Sequence, residues 1–251
     1  MDAIELLAVA AWSFAVAVAG GLAGLVLGNL RLPVLVLVGS SPAAAAGANV
    51  AVSGLAALSA TVTHAREGRV ERPLFVWMAP ASLAGAIAGG LVSGALPSRV
   101  LLAFIAVVVL YGALEVYRYE RPIAVPAASR RELILNAAAI GLVVGVIGGI
   151  VGLILGSLRL PALIRWAGVS PAAAVGTNSA VGVVVGAGGL IGHLPSGVDW
   201  ALLGAGAAGA IPGAYLGARL VGRLDERALL RTIALILVIA GSTMAIQAVA
   251  G

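Results

Sequence analysis

Arg31 and Arg159, Asn49 and Asn178, and His64 and His193 form three matched pairs in a chain that is otherwise overwhelmingly apolar. A guanidinium is a planar fork of N–H donors that fits an oxyanion such as a sulfite, sulfonate or carboxylate group; the bland alternative is a charge that snorkels to the headgroups from a helix end. Asn49 stands in Gly-Ala-Asn and Asn178 in Gly-Thr-Asn. An amide in lipid faces a partner or a cavity, and it serves equally as interhelical glue. Gly47 and Gly176 beside the amides would let a ligand approach the backbone. Ser41-Pro42 and Ser170-Pro171 each read as an N-cap followed by an N1 proline. Such a helix start suits an anion through its unpaired N–H groups and positive dipole end, and it is also an ordinary surface cap. His64 and His193 end apolar runs next to loops, as polar termini or as a proton relay. The ten acidic residues sit at or near run ends, so a cation carrier is a poor fit.

These residues have to be positioned inside a membrane. Of 251 residues, 61% are hydrophobic and 10% charged, with a mean hydropathy of +1.13; a soluble domain has about 25% charged residues. Uncharged stretches cover 6–30, 32–65, 73–98, 133–158, 166–198, 200–218 and 232–251, each near the roughly 20 residues of a spanning helix. No charged segment is long enough for an appended soluble catalytic module. The net charge of +5 is scattered between apolar runs, which excludes a nucleic-acid face and reports membrane orientation instead. There is no Cys, hence no disulfide and no thiolate metal site. The acidic start, Met-Asp-Ala-Ile-Glu, lacks the basic n-region of a signal peptide, so the first run is expected to be retained. No cofactor or metal is implied. Trp12, Trp77, Trp166 and Trp200 read as interfacial anchors.

One unit is duplicated. GLAGLVLGNLRLP at 21–33 and GIVGLILGSLRLP at 149–161 share nine of thirteen positions at an offset of 128, and SPAAAAGANVAV at 41–52 matches SPAAAVGTNSAV at 170–181 at nine of twelve. Gly85, Gly89, Gly94 and Arg99 then correspond to Gly213, Gly217, Gly222 and Arg227. The division is a first transmembrane repeat at 1–117, a cytoplasmic linker at 118–132 and a second repeat at 133–251. Gly20, Gly24, Gly28 and Gly148, Gly152, Gly156 follow the small-xxx-small spacing of close helix packing.

Each half reads as four long helices plus a short broken or re-entrant element after Arg-Leu-Pro. If that element does not change sides, the loop arginines divide 7 against 8; if it does, the halves are inverted and the division is 12 against 3, with Arg31 grouped beside Arg66 and Arg159 opposite. The positive-inside rule favours inversion, with both termini outside. The fold class is therefore an all-α polytopic membrane protein of two inverted repeats, the architecture of secondary transporters.

The twin Gly-rich first helices ending in proline, the Ser-Pro starts and the following Gly-Ala or Gly-Thr resemble the TauE/SafE family of sulfite exporters and related permeases. The family's Gly-Thr matches fully at Gly176-Thr177, whereas the first copy has Gly47-Ala48. Asn29-Leu30-Arg31 and Ser157-Leu158-Arg159 stand where further glycines are common in the family. The resemblance implies a non-enzymatic carrier of small sulfur-containing anions such as sulfite, sulfoacetate or sulfonates in the cell membrane. Alternating access would work around a site at the repeat interface built from Asn49, Asn178, Thr177, Ser41, Ser170, Gly47, Gly176, Arg31 and Arg159. The partners are the anion, a coupling proton, the bilayer and, left open, a second copy of the chain. A passive anion channel is the nearest alternative. An intramembrane hydrolase using Ser53 or Ser179 with His64 or His193 is remote, because Ser53 lies eleven residues before His64 and no orienting acid is apparent.

Overall fold

The computed structural model describes residues 2–23, 27–118, 130–156, 158, 159, 162, 163, 169–219 and 226–250. Trp166 and most of the linker, 119–129, lie outside the described residues. Those described are overwhelmingly helical, with no strand among them. The helices are α1 (Ala3–Ala23), α2 (Gly28–Val38), α3 (Pro42–Arg66), α4 (Arg72–Ala95), α5 (Ser98–Tyr117), α6 (Arg130–Val151), α7 (Pro171–His193), α8 (Trp200–Arg219) and α9 (Glu226–Ala250). Five of the helices are long and apolar enough to cross a membrane. Exposed apolar side chains such as Leu7, Val76, Val107, Leu142 and Ile239 lie on these and the other helices.

Inversion is visible in the direction of equivalent helices. α3 and α7 cross where a Cβ on Gly54 would come within 2.9 Å of Gly186 Cα. The start of α3 meets the far end of α7, since a Cβ on Gly47 would lie 2.7 Å from His193 Cβ. The start of α7 meets the loop after α3, where Gly176 faces the Arg69 backbone. Two equivalent helices running antiparallel require repeats of opposite orientation.

The repeats also interlock. α1 packs most extensively on α8 of the other repeat, and α4 on α6, which is the same pairing with the repeats exchanged. Both pairs are parallel and glycine-mediated: a Cβ on Gly85 would lie 2.5 Å from Leu142 O, and a Cβ on Gly213 would lie 2.5 Å from Phe14 O. Backbones approach this closely only over small residues.

The element between the first long helix and the Ser-Pro helix takes the chain back. α2 runs opposite to α1, because Trp12 Nε1 donates to Leu30 O at 3.1 Å while Val9 packs with Leu35. It also runs opposite to α3, with Arg31 beside Ser53 and Gly39 beside Ala45. At 11 residues α2 rises about 16 Å, half of a hydrocarbon core of roughly 30 Å. The short helix starts at Gly28, before the arginine and not after Pro33 as the sequence suggests. In that position Pro33 removes only the helical hydrogen bond to the Asn29 carbonyl.

In the second repeat the break is described through Gly156. α6 ends at Val151, Gly152 takes φ +71, Leu153 N donates to Gly148 O at 2.8 Å, and helix resumes at Gly156, the counterpart of Gly28. The left-handed conformation at Gly152 favours glycine. The Gly148-Gly152-Gly156 spacing therefore marks a helix break, at which Gly152 also packs closely against the Ala46 backbone of α3. Trp12 serves as a tie between α1 and α2, whereas Trp77 and Trp200 are exposed.

Because the chain contains no Cys, single-cysteine labelling reads the topology directly. Glu67→Cys and Ser196→Cys should react with a membrane-impermeant maleimide from opposite faces of the bilayer; labelling from one face would rule out inverted repeats.

Candidate functional site

Each repeat brings its arginine from the short helix against its Ser-Pro helix. Arg31 is 2% exposed. Its Nε donates to Asn49 Oδ1 at 2.8 Å, and its Nη2 donates to Ser53 Oγ at 2.6 Å and to Asn49 O at 3.2 Å. Asn49 and Ser53 are one helical turn apart and share a face. Asn49 Nδ2 then donates to Gly152 O at 2.8 Å, which joins the first repeat's centre to the second repeat's break. The carbonyl at that break has lost its helical partner, so a side-chain donor satisfies it.

Arg159 is 0% exposed. Its Nη1 donates to Asn178 Oδ1 at 3.0 Å. Its Nε and Nη2 are buried with no hydrogen-bond partner among the described residues. Gly156 lies against the same amide, since a Cβ there would come 2.8 Å from Asn178 Nδ2. Neither guanidinium has a carboxylate within ion-pair distance among the described residues; Arg69 and Glu67 form an exposed ion pair at 2.9 Å in the α3–α4 loop.

Both arginines are thus interior groups and do not snorkel to the headgroups. Arg31 lies on the Ser41 side of the α3–α7 crossing, opposite to its grouping with the Arg66 loop in the charge comparison, because α2 starts near mid-depth and runs toward Ser41. Arg159 correspondingly lies on the Ser170 side. Removing both from the comparison leaves the direction of the arginine excess unchanged. Asn49 and Asn178 flank the crossing at Gly54 and Gly186 on opposite sides, thirteen residues of helical rise apart, or about 20 Å. The structure holds two matched centres at different depths and does not bring the two amides together.

The Ser-Pro starts lie at opposite ends of the α3–α7 pair. Ser41 Oγ accepts from Ala44 N at 3.1 Å and Ser170 Oγ from Ala173 N at 3.3 Å. Each hydroxyl satisfies one orphan donor of its helix. Gly47 sits against His193 and Val198, and Gly176 against Arg69. Thr177, fully buried, accepts from the Glu71 backbone N at 2.9 Å. The Gly-Thr pair therefore docks the α3–α4 loop, and Gly47-Ala48 occupies the equivalent place for the α7–α8 loop.

His193 is buried, and its Nε2–H donates to Gly149 O at 2.9 Å. His64 is half-buried at the other end of α3. The seventeen residues from Gly47, beside His193, to His64 correspond to about 26 Å, so the two histidines are not in contact. Ser53 accepts from Arg31, and Ser179 Oγ donates to Val175 O at 2.9 Å; neither serine bonds a histidine. Sequence reasoning weighed Ser53 only as a nucleophile and overlooked Gly182, its counterpart. The available signal was their common spacing, four residues after each asparagine.

A family model described as the sulfite exporter TauE/SafE matches residues 9–244, across both repeats. The chain belongs to the TauE/SafE family. No curated protein and no solved structure matches it. It is a multi-pass membrane protein of a transporter family, and in this TauE/SafE member both copies of the motif region end on a buried arginine–asparagine pair.

The Arg31–Asn49–Gly152 chain predicts a stability effect. Asn49→Leu leaves a buried guanidinium nitrogen and the Gly152 carbonyl without partners, and should destabilise the protein by about 3 kcal/mol. Adding Arg31→Met removes the stranded charge and should recover most of that loss. Unfolding in detergent measures both; a double variant no more stable than Asn49→Leu would separate the two residues energetically.

Proposed function

We propose that the chain is a secondary carrier of small sulfur-containing anions, such as sulfite, sulfoacetate or another sulfonate, working by alternating access. The observation that carries this reading is the burial of Arg31 and Arg159 with no carboxylate against either among the described residues. A buried guanidinium requires charge compensation or dense hydrogen bonding, and an anionic substrate supplies both. Inverted repeats support the same reading, because exchanging two interlocked arrangements opens opposite faces.

In this reading Arg159 with Asn178, and Arg31 with Asn49, stand at the inner ends of two access routes. Ser170, Gly176 and Thr177 flank one mouth, and Ser41 and Gly47 the other. The positive-inside rule applied to the arginine-rich α3–α4 loop favours a Ser170 mouth at the cytoplasmic face of the cell membrane, with both termini outside. His193 and His64 are the candidate groups for a coupling proton.

Proteoliposomes test the proposal. Wild-type protein should take up labelled sulfoacetate, with uptake stimulated by unlabelled sulfoacetate on the opposite side. Arg159→Gln should lower the initial rate about tenfold or more, the scale of one lost charge-assisted hydrogen bond. Flux without trans-stimulation would make the protein a channel, and no flux of sulfoacetate, sulfite or sulfate would refute anion transport.

A further inference from the structure

Of the three bonded residues of the first centre, Arg31, Asn49 and Ser53, only Ser53 is replaced by another type in the second, by Gly182. Nε and Nη2 lie on one edge of the planar guanidinium group. In the first repeat that edge of Arg31 already holds two oxygens, Asn49 Oδ1 at 2.8 Å and Ser53 Oγ at 2.6 Å, with Asn49 O at 3.2 Å from the same Nη2. An oxyanion bound side-on places two of its oxygens on this edge. In the second repeat Asn178 Oδ1 takes Nη1 instead, and the Nε–Nη2 edge of Arg159 is buried and unpartnered among the described residues.

Gly182 stands where Ser53 stands in the first repeat, and it has no oxygen to offer. The space beside it is tight but not closed: a Cβ on Gly182 would meet Ala57 Cβ and Ile154 Cγ2 at 3.3 Å each. A residue as small as serine fits there if its neighbours give by a few tenths of an ångström.

We infer that the Nε–Nη2 edge of Arg159 is the one oxyanion seat among the described residues, and that Asn49 and Ser53 are a built-in substitute for the oxyanion at the equivalent edge of Arg31. The inference rests on the anion-carrier reading and adds to it a stoichiometry and a ligand geometry. The ligand presents two oxygens on a single sulfur or carbon centre, as sulfite, sulfonates and carboxylates do. One anion binds per chain even though the centre is duplicated. The first centre is a closed copy whose Asn49 holds the Gly152 break in place, and the second is the working copy.

The test is calorimetric titration of the full-length protein in nanodiscs with sulfoacetate, and with acetate to separate sulfonate from carboxylate recognition. Wild-type protein should bind one sulfoacetate per chain. Gly182→Ser offers a hydroxyl to the Arg159 edge and should weaken binding by about tenfold or more, the scale of one charge-assisted hydrogen bond. Gly182→Ala adds the same Cβ without the oxygen and should stay within about threefold of wild type, since it removes no such bond. Ser53→Gly leaves Asn49 on the Arg31 edge and should still bind one sulfoacetate per chain, and the Gly182 pair keeps the inference testable if that variant does not fold. Equal weakening by Gly182→Ser and Gly182→Ala would overturn it. So would binding lost in Arg31→Gln but retained in Arg159→Gln, a result that leaves the carrier reading intact. Wild-type protein that neither binds nor transports sulfoacetate, sulfite or acetate would sink both.

Discussion

A guanidinium carried into a protein interior within a bilayer loses its water, and the organisation of this molecule's centre follows from how that loss is offset. The penalty for an uncompensated buried ion is several kcal/mol even after relaxation. At Arg31 three short contacts to Asn49 and Ser53 provide the compensation from within the chain. At Arg159 one bond to Asn178 is present and two donor nitrogens are left over. Closely matched sequences therefore yield one saturated centre and one unsaturated centre.

The fold makes such centres by breaking helices where a side chain can satisfy the freed backbone. In lipid, irregular backbone survives only where it is buried in protein or lines a cavity. Gly152 meets this condition through Asn49 Nδ2, which belongs to the other repeat. The α1–α8 and α4–α6 pairings hold the repeats together on both sides of the α3–α7 crossing. Their glycines bring the backbones of the two repeats into close approach.

Much of the architecture was legible because duplication is a strong signal. The offset of 128 identifies equivalent helices, and the arginine-rich loop at 66–72 facing an arginine-free loop at 194–199 points to their inversion. The Ser-Pro caps were legible for the same reason that they work, the coupling of a hydroxyl acceptor to an N1 proline. The depth of Arg31 was not. A charge beside a proline reads as the end of a spanning run, and only the start of α2 at Gly28 carries that arginine inward. The separation of Asn49 from Asn178 was equally hidden, because symmetry in sequence says which residues are equivalent and not whether the axis brings them together. The contrast between Ser53 and Gly182 was present in the repeat, but its meaning needed the bond from Arg31 to Ser53 and the unpartnered edge of Arg159.

The central claim is where the anion sits, and anomalous scattering reads it without reference to rates or folding energies. Crystals of the wild-type protein soaked in selenite, the selenium analogue of sulfite, should show one anomalous peak per chain, beside Nε and Nη2 of Arg159 and on the side away from Asn178. A peak at Arg31, or at the Ser41 and Ser170 caps with none at Arg159, would contradict it.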